Sequence, residues 1–212
     1  YGEVVLAAIG RVPNTDADWF RSSGLKLDER GYVTVDGYGR TNLDGVWALG
    51  DITPGHALAH RAFEQGITIA EKIAGADPKP VLDDTVPQVV FSFPEAASVG
   101  LTLDQAKARE DVVEPKETAY PMLSNARMLM SGEGGSMTVV SGAFANNPDM
   151  QVVLGVHIVS PIASDLIAEA EQLVGNRVPL ADAARLIHPH PTFSETLGEA
   201  LLKADGRPLH TR

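Results

Sequence analysis

The segment His188-Pro189-His190-Pro191-Thr192-Phe193-Ser194-Glu195 places two histidines and a glutamate within eight residues of this 212-residue chain. Two prolines hold it extended, and Glu195 stands five residues beyond His190, near enough to reach back toward its ring. An imidazole within reach of a carboxylate has its tautomer set and its protonated form favoured, which suits a general base near neutral pH. Thr192 followed by Glu195 also matches a capping box opening a helix to about Lys203. Glu195 alone would therefore be read as structural, and the histidines upstream are what argue for chemistry. His188 and His190 are expected to face apart, so no metal site is expected. His190 and Glu195 are the candidate catalytic residues.

A second candidate is Ala48-Leu49-Gly50-Asp51. A small-residue strand ending in Gly-Asp places a carboxylate at its carboxyl end, where open α/β sheets bind ligands. Asp51 can accept hydrogen bonds from sugar-type hydroxyls, although an Asp that merely caps the following turn reads the same way. Leu58, Ala59 and His60 fall at the start of a helix whose free N–H groups suit an electron-rich ligand atom.

The elements that must position these residues read in two rhythms. The run 4–9 is continuously apolar and reads as a buried parallel strand. Residues 18–23 form a short helical turn, 32–35 and 45–49 short strands, and 57–74 a helix with one small-residue face stopped by Gly75. Gly75-Ala76-Asp77-Pro78-Lys79-Pro80 is the best linker candidate. Beyond it, 86–93 and 112–120 read as strands, and Thr102-Leu103-Asp104-Gln105 as a capping box. Runs 136–144 and 151–159 read as a hairpin turning at Asn146-Asn147-Pro148-Asp149. Ser160 then caps a helix begun by Pro161 and stopped by Gly175. Strands followed by helices argue for an α+β layer over 84–212.

Composition narrows the function classes. The net charge is −11, with 44% apolar residues and no cysteine. Both parts of the chain are acidic, which disfavours nucleic acid as a partner. The longest apolar run is far below the roughly 20 residues of a membrane helix, so no membrane association and a cytoplasmic location are expected. Without cysteine, the chain contains no thiol nucleophile and no thiolate metal site.

Taken in order, five motifs resemble the pyridine nucleotide-disulfide oxidoreductases. Ala8-Ile9-Gly10-Arg11-Val12-Pro13-Asn14 is similar to the end of that family's NAD domain, and Ala48-Leu49-Gly50-Asp51 to its second FAD motif. Leu58-Ala59-His60 is similar to its helix start beside the flavin. Phe93-Pro94-Glu95-Ala96-Ala97-Ser98-Val99-Gly100 resembles the opening of its interface domain, and the His188 to Glu195 segment its catalytic signature. Asn125-Ala126-Arg127 and the His-x-His-Pro-Thr form bring the chain nearest to members acting on dihydrolipoyl groups. Ser160 and Asp165 depart from the usual glycine and glutamate.

The resemblance implies that 1–83 is an incomplete piece of an α/β FAD/NAD-binding domain and 84–212 an α+β dimerisation domain, with FAD and NAD as cofactors and Gly10, Asp51, Leu58, Ala59 and His60 at them. It implies His190 as base toward a dithiol, and Glu195 holding its ring. It implies a homodimer serving a lipoyl-bearing protein of a 2-oxoacid dehydrogenase or similar complex. The family's G-x-G-x-x-G and C-x-x-x-x-C motifs are absent from these residues, so the chain is expected to be the C-terminal part of such an enzyme, unable by itself to retain FAD or reduce NAD. A glutathione-reductase-like enzyme and a stand-alone dimerisation module are the alternatives.

Overall fold

A computed structural model describes residues 2–211. They divide into two compact units that meet between Asp83 and Asp84.

The first unit has a small core of Phe20, Val33 and Ala48, with Leu25, Leu27, Val35 and Ile52 packed around it. Tight turns organise it. Asp28 Oδ1 accepts from the amides of Arg30 and Tyr32, and Asp36 Oδ1 accepts from those of Tyr38 and Arg40. Such turns form because a short carboxylate can mimic a backbone carbonyl. Helix α1 spans Asp18–Ser22 and α2 spans Ala59–Ile73. Buried Arg61 of α2 ties down the end of the unit through Asp83 at 2.7 Å and the Pro54 carbonyl.

Three expected strands are corrected here. Residues 4–9 form no strand and are exposed throughout, Ile9 at 98%. A parallel strand buried on both faces needs partners on both sides, and no described residue pairs with this run. Runs 32–35 and 45–49 shrink to single bridges, Leu27 with Val33 and Arg40 with Trp47.

The second unit is α+β. Strands β1 (Gln88–Val90), β2 (Glu95–Gly100), β3 (Val112–Pro121), β4 (Ser136–Phe144) and β5 (Asn147–Ser160) form one antiparallel sheet in the order β1-β2-β5-β4-β3. Helix α3 (Leu103–Ala108) carries the full capping box of Thr102 and Gln105. Helices α4 (Ala126–Ser131), α5 (Ala163–Gly175), α6 (Leu180–Ala183) and α7 (Glu195–Ala204) complete the unit. Alternation along the strands gives the sheet two apolar faces. Val139 and Val153 join the main core with Ile167 of α5 and Leu197 of α7. Their neighbours Val140 and Val152 turn to a smaller cluster with Leu101, Ala106 and Leu154.

Several boundaries differ from expectation. Strand β1 keeps only three residues of the expected 86–93. Strand β5 starts at Asn147, with Phe144 paired to Asn147, so Pro148 and Asp149 lie in the strand rather than the turn. Ser160 ends β5 and is fully buried, and α5 begins at Ala163. Sheet pairing of Ser160 with Glu95 outcompetes the expected cap. Glu95 instead serves the helix: its Oε2 accepts the Ser164 amide at 2.8 Å, which holds its carboxyl below the usual range.

Candidate active site

The expected base and its carboxylate meet. His190 Nδ1 lies 2.8 Å from Glu195 Oε1. An ionised carboxylate only accepts, so Nδ1 carries the proton and Nε2 is left as the basic nitrogen. The His190 side chain is 67% exposed while that of Glu195 is 19%. The imidazole is therefore presented outward from a carboxylate held inside.

Local folding differs from a simple capping box. Helix α7 starts at Glu195 itself, with Ser194 as its cap residue, rather than at Thr192. Half the box survives, since Glu195 Oε2 accepts the Thr192 amide at 2.8 Å. Glu195 thus uses one oxygen to hold the backbone and the other to hold the ring. Burial pushes its carboxyl up, but the Thr192 amide and the His190 hydrogen bond outweigh burial, and the net displacement is downward. Thr192 Oγ1 closes the preceding turn by donating to the Pro189 carbonyl at 2.6 Å.

Three residues of the site carry no proton chemistry legible in sequence. Asn125 caps α4 by accepting the Met128 amide at 3.1 Å, and its Nδ2 donates to the Thr192 carbonyl at 3.2 Å. It is buried, and it pins the segment that carries His190 from across the unit. Glu199, one turn beyond Glu195 on α7, takes the amide and Nδ1 of His210 at 3.2 and 2.8 Å. His190, Glu195, Glu199, His210 and Asn125 line one cavity of about 170 Å³. Neither His210 nor Glu199 belongs to a recognisable motif. Their pairing needs the fold to return residues 206–211 alongside α7, which no local pattern announces.

Tyr120 is fully buried beside this cavity's carboxylates, and its hydroxyl has no hydrogen-bond partner among the described residues. Burial, then Glu199 and Glu195, push it well above its ordinary range, so it remains protonated.

The candidate cofactor residues lie in the first unit. Asp51 is exposed in the turn Gly50–Ile52, which packs on α2: the Gly50 amide donates to Gln65 Oε1 at 2.9 Å. Leu58 is the cap residue of α2, and Ala59 and His60 are its first two residues, with no side chain capping the helix. Gly10 has φ near +112° in the exposed leading segment. Among the described residues no cluster of three or more metal-ligating side chains occurs, and no helix is long and apolar enough to cross a membrane.

An antiparallel α+β layer over 84–212, preceded in sequence by a small unit with a helix and a Gly-Asp turn, is the architecture of the interface part of a flavin disulfide oxidoreductase. Residues 86–201 match the pyridine nucleotide-disulphide oxidoreductase dimerisation domain, and residues 1–66 match the pyridine nucleotide-disulphide oxidoreductase family itself. The chain belongs to this family. Dihydrolipoyl dehydrogenase of Cupriavidus necator is 40% identical over 208 residues, covering 97% of this chain and 42% of that protein. Dihydrolipoyl dehydrogenase of Geobacillus stearothermophilus is 39% identical, covering 98% of this chain and 43% of that protein. The crystal structure of LpdA from Mycobacterium tuberculosis superposes with a TM-score of 0.82 at 31% identity, over 93% of this chain and 42% of that one. The chain therefore spans about two fifths of the length of the relatives it matches.

Proposed function

We propose that this chain supplies the general base and the dimer interface of an enzyme that oxidises protein-bound dihydrolipoyl groups with NAD. The observation that carries the reading is the 2.8 Å contact between His190 Nδ1 and Glu195 Oε1, with Nε2 left free to face a substrate. Nε2 takes the proton of a dihydrolipoyl thiol, and the thiolate so formed is the nucleophile. The dithiol loses two electrons and two protons and closes to a disulfide. NAD gains the two electrons and one proton as a hydride, and the other proton leaves to solvent. Because these 212 residues hold no cysteine, the redox disulfide that the thiolate attacks belongs to residues outside them. The dihydrolipoyl dehydrogenase relatives support this choice of substrate.

The first unit fits one wall of a flavin site. Asp51 offers an exposed carboxylate to hydroxyls, and α2 opens at Ala59 directly after Leu58, whose side chain does not cap the helix, with His60 in the same first turn. FAD bound there would supply the two-electron acceptor between dithiol and nicotinamide. Gly10, at φ near +112° in the exposed leading segment, is the position that the family resemblance assigns to the nucleotide. Homodimer formation is supported by the dimerisation-domain match and by Phe91 and Phe93, which are 78% and 86% exposed beside the short strand β1. An apolar rim of this kind marks an interface.

The test uses the protein expressed together with the flavin-binding portion that its relatives carry. Turnover of dihydrolipoamide with NAD should exceed turnover of glutathione disulfide with NADPH by orders of magnitude. The reverse preference would replace this reading with a glutathione-reductase-like one, and absence of both would leave a dimerisation module.

A further inference from the structure

His188, the first histidine of the signature, has its own carboxylate. Its Nε2 lies 2.8 Å from Glu169 Oε1, in the middle of α5, and its side chain is only 9% exposed. The other edge of the ring rests on α7. A Cβ built at Gly198 would stand 2.6 Å from His188 Nδ1 and 2.8 Å from Cε1, closer than real side chains approach. The ring is thus wedged between a carboxylate of one helix and the bare backbone of another, three residues beyond Glu195. The Glu169 hydrogen bond raises its pKa against the opposing effect of burial.

That wedge lies two residues from His190, a span of at most about 7 Å of chain. The intervening Pro189 removes most backbone freedom from this short connection. Glu195, at the head of α7, fixes only the far side of His190, whose ring is otherwise exposed. A displacement of about 1 Å in a reacting group can cost up to about a hundredfold in rate, so the near side must also be held.

We propose that His188, gripped by Glu169 and seated on Gly198, is a positioning residue for the His190 base. It touches no substrate and acts through the backbone, and the inference rests on the reading of His190 as that base. Gly198 is then a glycine because a methyl group there would drive the His188 ring, and with it the segment to His190, off its seat.

The experiment compares Glu169→Gln, Glu169→Ala, Gly198→Ala, His188→Ala and the Gly198→Ala/His188→Ala double variant, with His190→Gln as reference, in the flavin-loaded enzyme. Steady-state oxidation of dihydrolipoamide by NAD is measured for each. Gly198→Ala and Glu169→Ala should lower kcat about tenfold at nearly unchanged KM, within the range that misplacement produces. Glu169→Gln, which keeps a hydrogen-bond partner, should recover most of that loss. The double variant should be no slower than the worse of its two single variants, because once the ring is gone the added methyl has nothing to displace. Should Gly198→Ala not fold, the Glu169→Gln and Glu169→Ala pair decides alone. Wild-type kcat in Glu169→Ala, or equal losses in Glu169→Ala and Glu169→Gln, would overturn the proposal. A His190→Gln variant of normal turnover would instead remove the base assignment on which it rests, so the two failures are separable.

Discussion

Glu199 of α7 receives His210 twice, through the backbone amide at 3.2 Å and the ring Nδ1 at 2.8 Å, and so brings a second histidine–carboxylate pair to the cavity of His190 and Glu195. The Glu199 side chain is only 10% exposed. Losing a hydrogen-bond partner at a buried carboxylate costs about 1–3 kcal/mol. His210→Ala should therefore destabilise the protein by that order in urea unfolding. Glu199→Gln should suffer much less from the same truncation, because a neutral amide tolerates burial better. Equal costs in both backgrounds would show that the carboxylate does not hold the segment.

The sheet imposes a severe requirement where β2 crosses β5. Gly100, at φ near +80°, pairs with Gly155, and a Cβ at either position would come within 2.2 Å of a backbone carbonyl, that of Leu154 or Leu101. No flexible side chain can yield there. Gly100→Ala should lower stability by at least about 2 kcal/mol, combining a left-handed backbone with a backbone clash. A midpoint of unfolding unchanged from wild type would refute the packing described.

Acid and alkaline limbs of stability should have different owners. The Glu195 carboxyl lies below its unfolded value of 4.5, so its contribution is present above that pH and is lost as pH falls through the lower folded value. The His188 pKa lies above its unfolded value of 6.5, so its contribution is full below that pH and is lost as pH rises through the higher folded value. Urea unfolding across pH should show the His188→Gln deficit shrinking on the alkaline side. The Glu195→Gln deficit should shrink on the acid side. A deficit independent of pH in both would contradict the shifts.

Dimerisation should reside in residues after Asp84. Obligate interfaces bury upwards of about 2,000 Å², and exposed Phe91 and Phe93 belong to the apolar surface available for one. Sedimentation at micromolar concentration should give a dimer, and Phe93→Glu should shift it toward monomer. A monomer at all concentrations for the wild-type chain would reject this.

Much of the second unit was legible because its signals are local. The alternation in 136–144, the Thr102 capping box and the proline-held histidines each depend on neighbours within a few residues, and each reappears in the structure. The misses share a cause in long-range pairing. Ser160 has the residue type and position of a helix cap, yet Glu95, 65 positions away in sequence, claims its backbone for the sheet. Thr192 has the spacing to Glu195 of a cap for α7, yet Asn125 takes its carbonyl and the helix begins three residues later. Apolar run 4–9 reads as a strand from composition alone, but a strand exists only through its partners. Glu169 and His210 complete the site from other elements, and neither stands in a pattern that spacing could reveal.

The central claim is that His190, held by Glu195, is the base, and single-turnover reduction of the flavin-loaded enzyme by dihydrolipoamide tests it most directly. His190→Gln should slow that step by about 10²–10⁴, the usual contribution of a general base, with flavin content unchanged. Glu195→Gln should slow it less, and His188→Gln by about tenfold, the order expected of misplacement. Near-normal reduction in His190→Gln, or a loss in His188→Gln as large as in His190→Gln, would contradict the account.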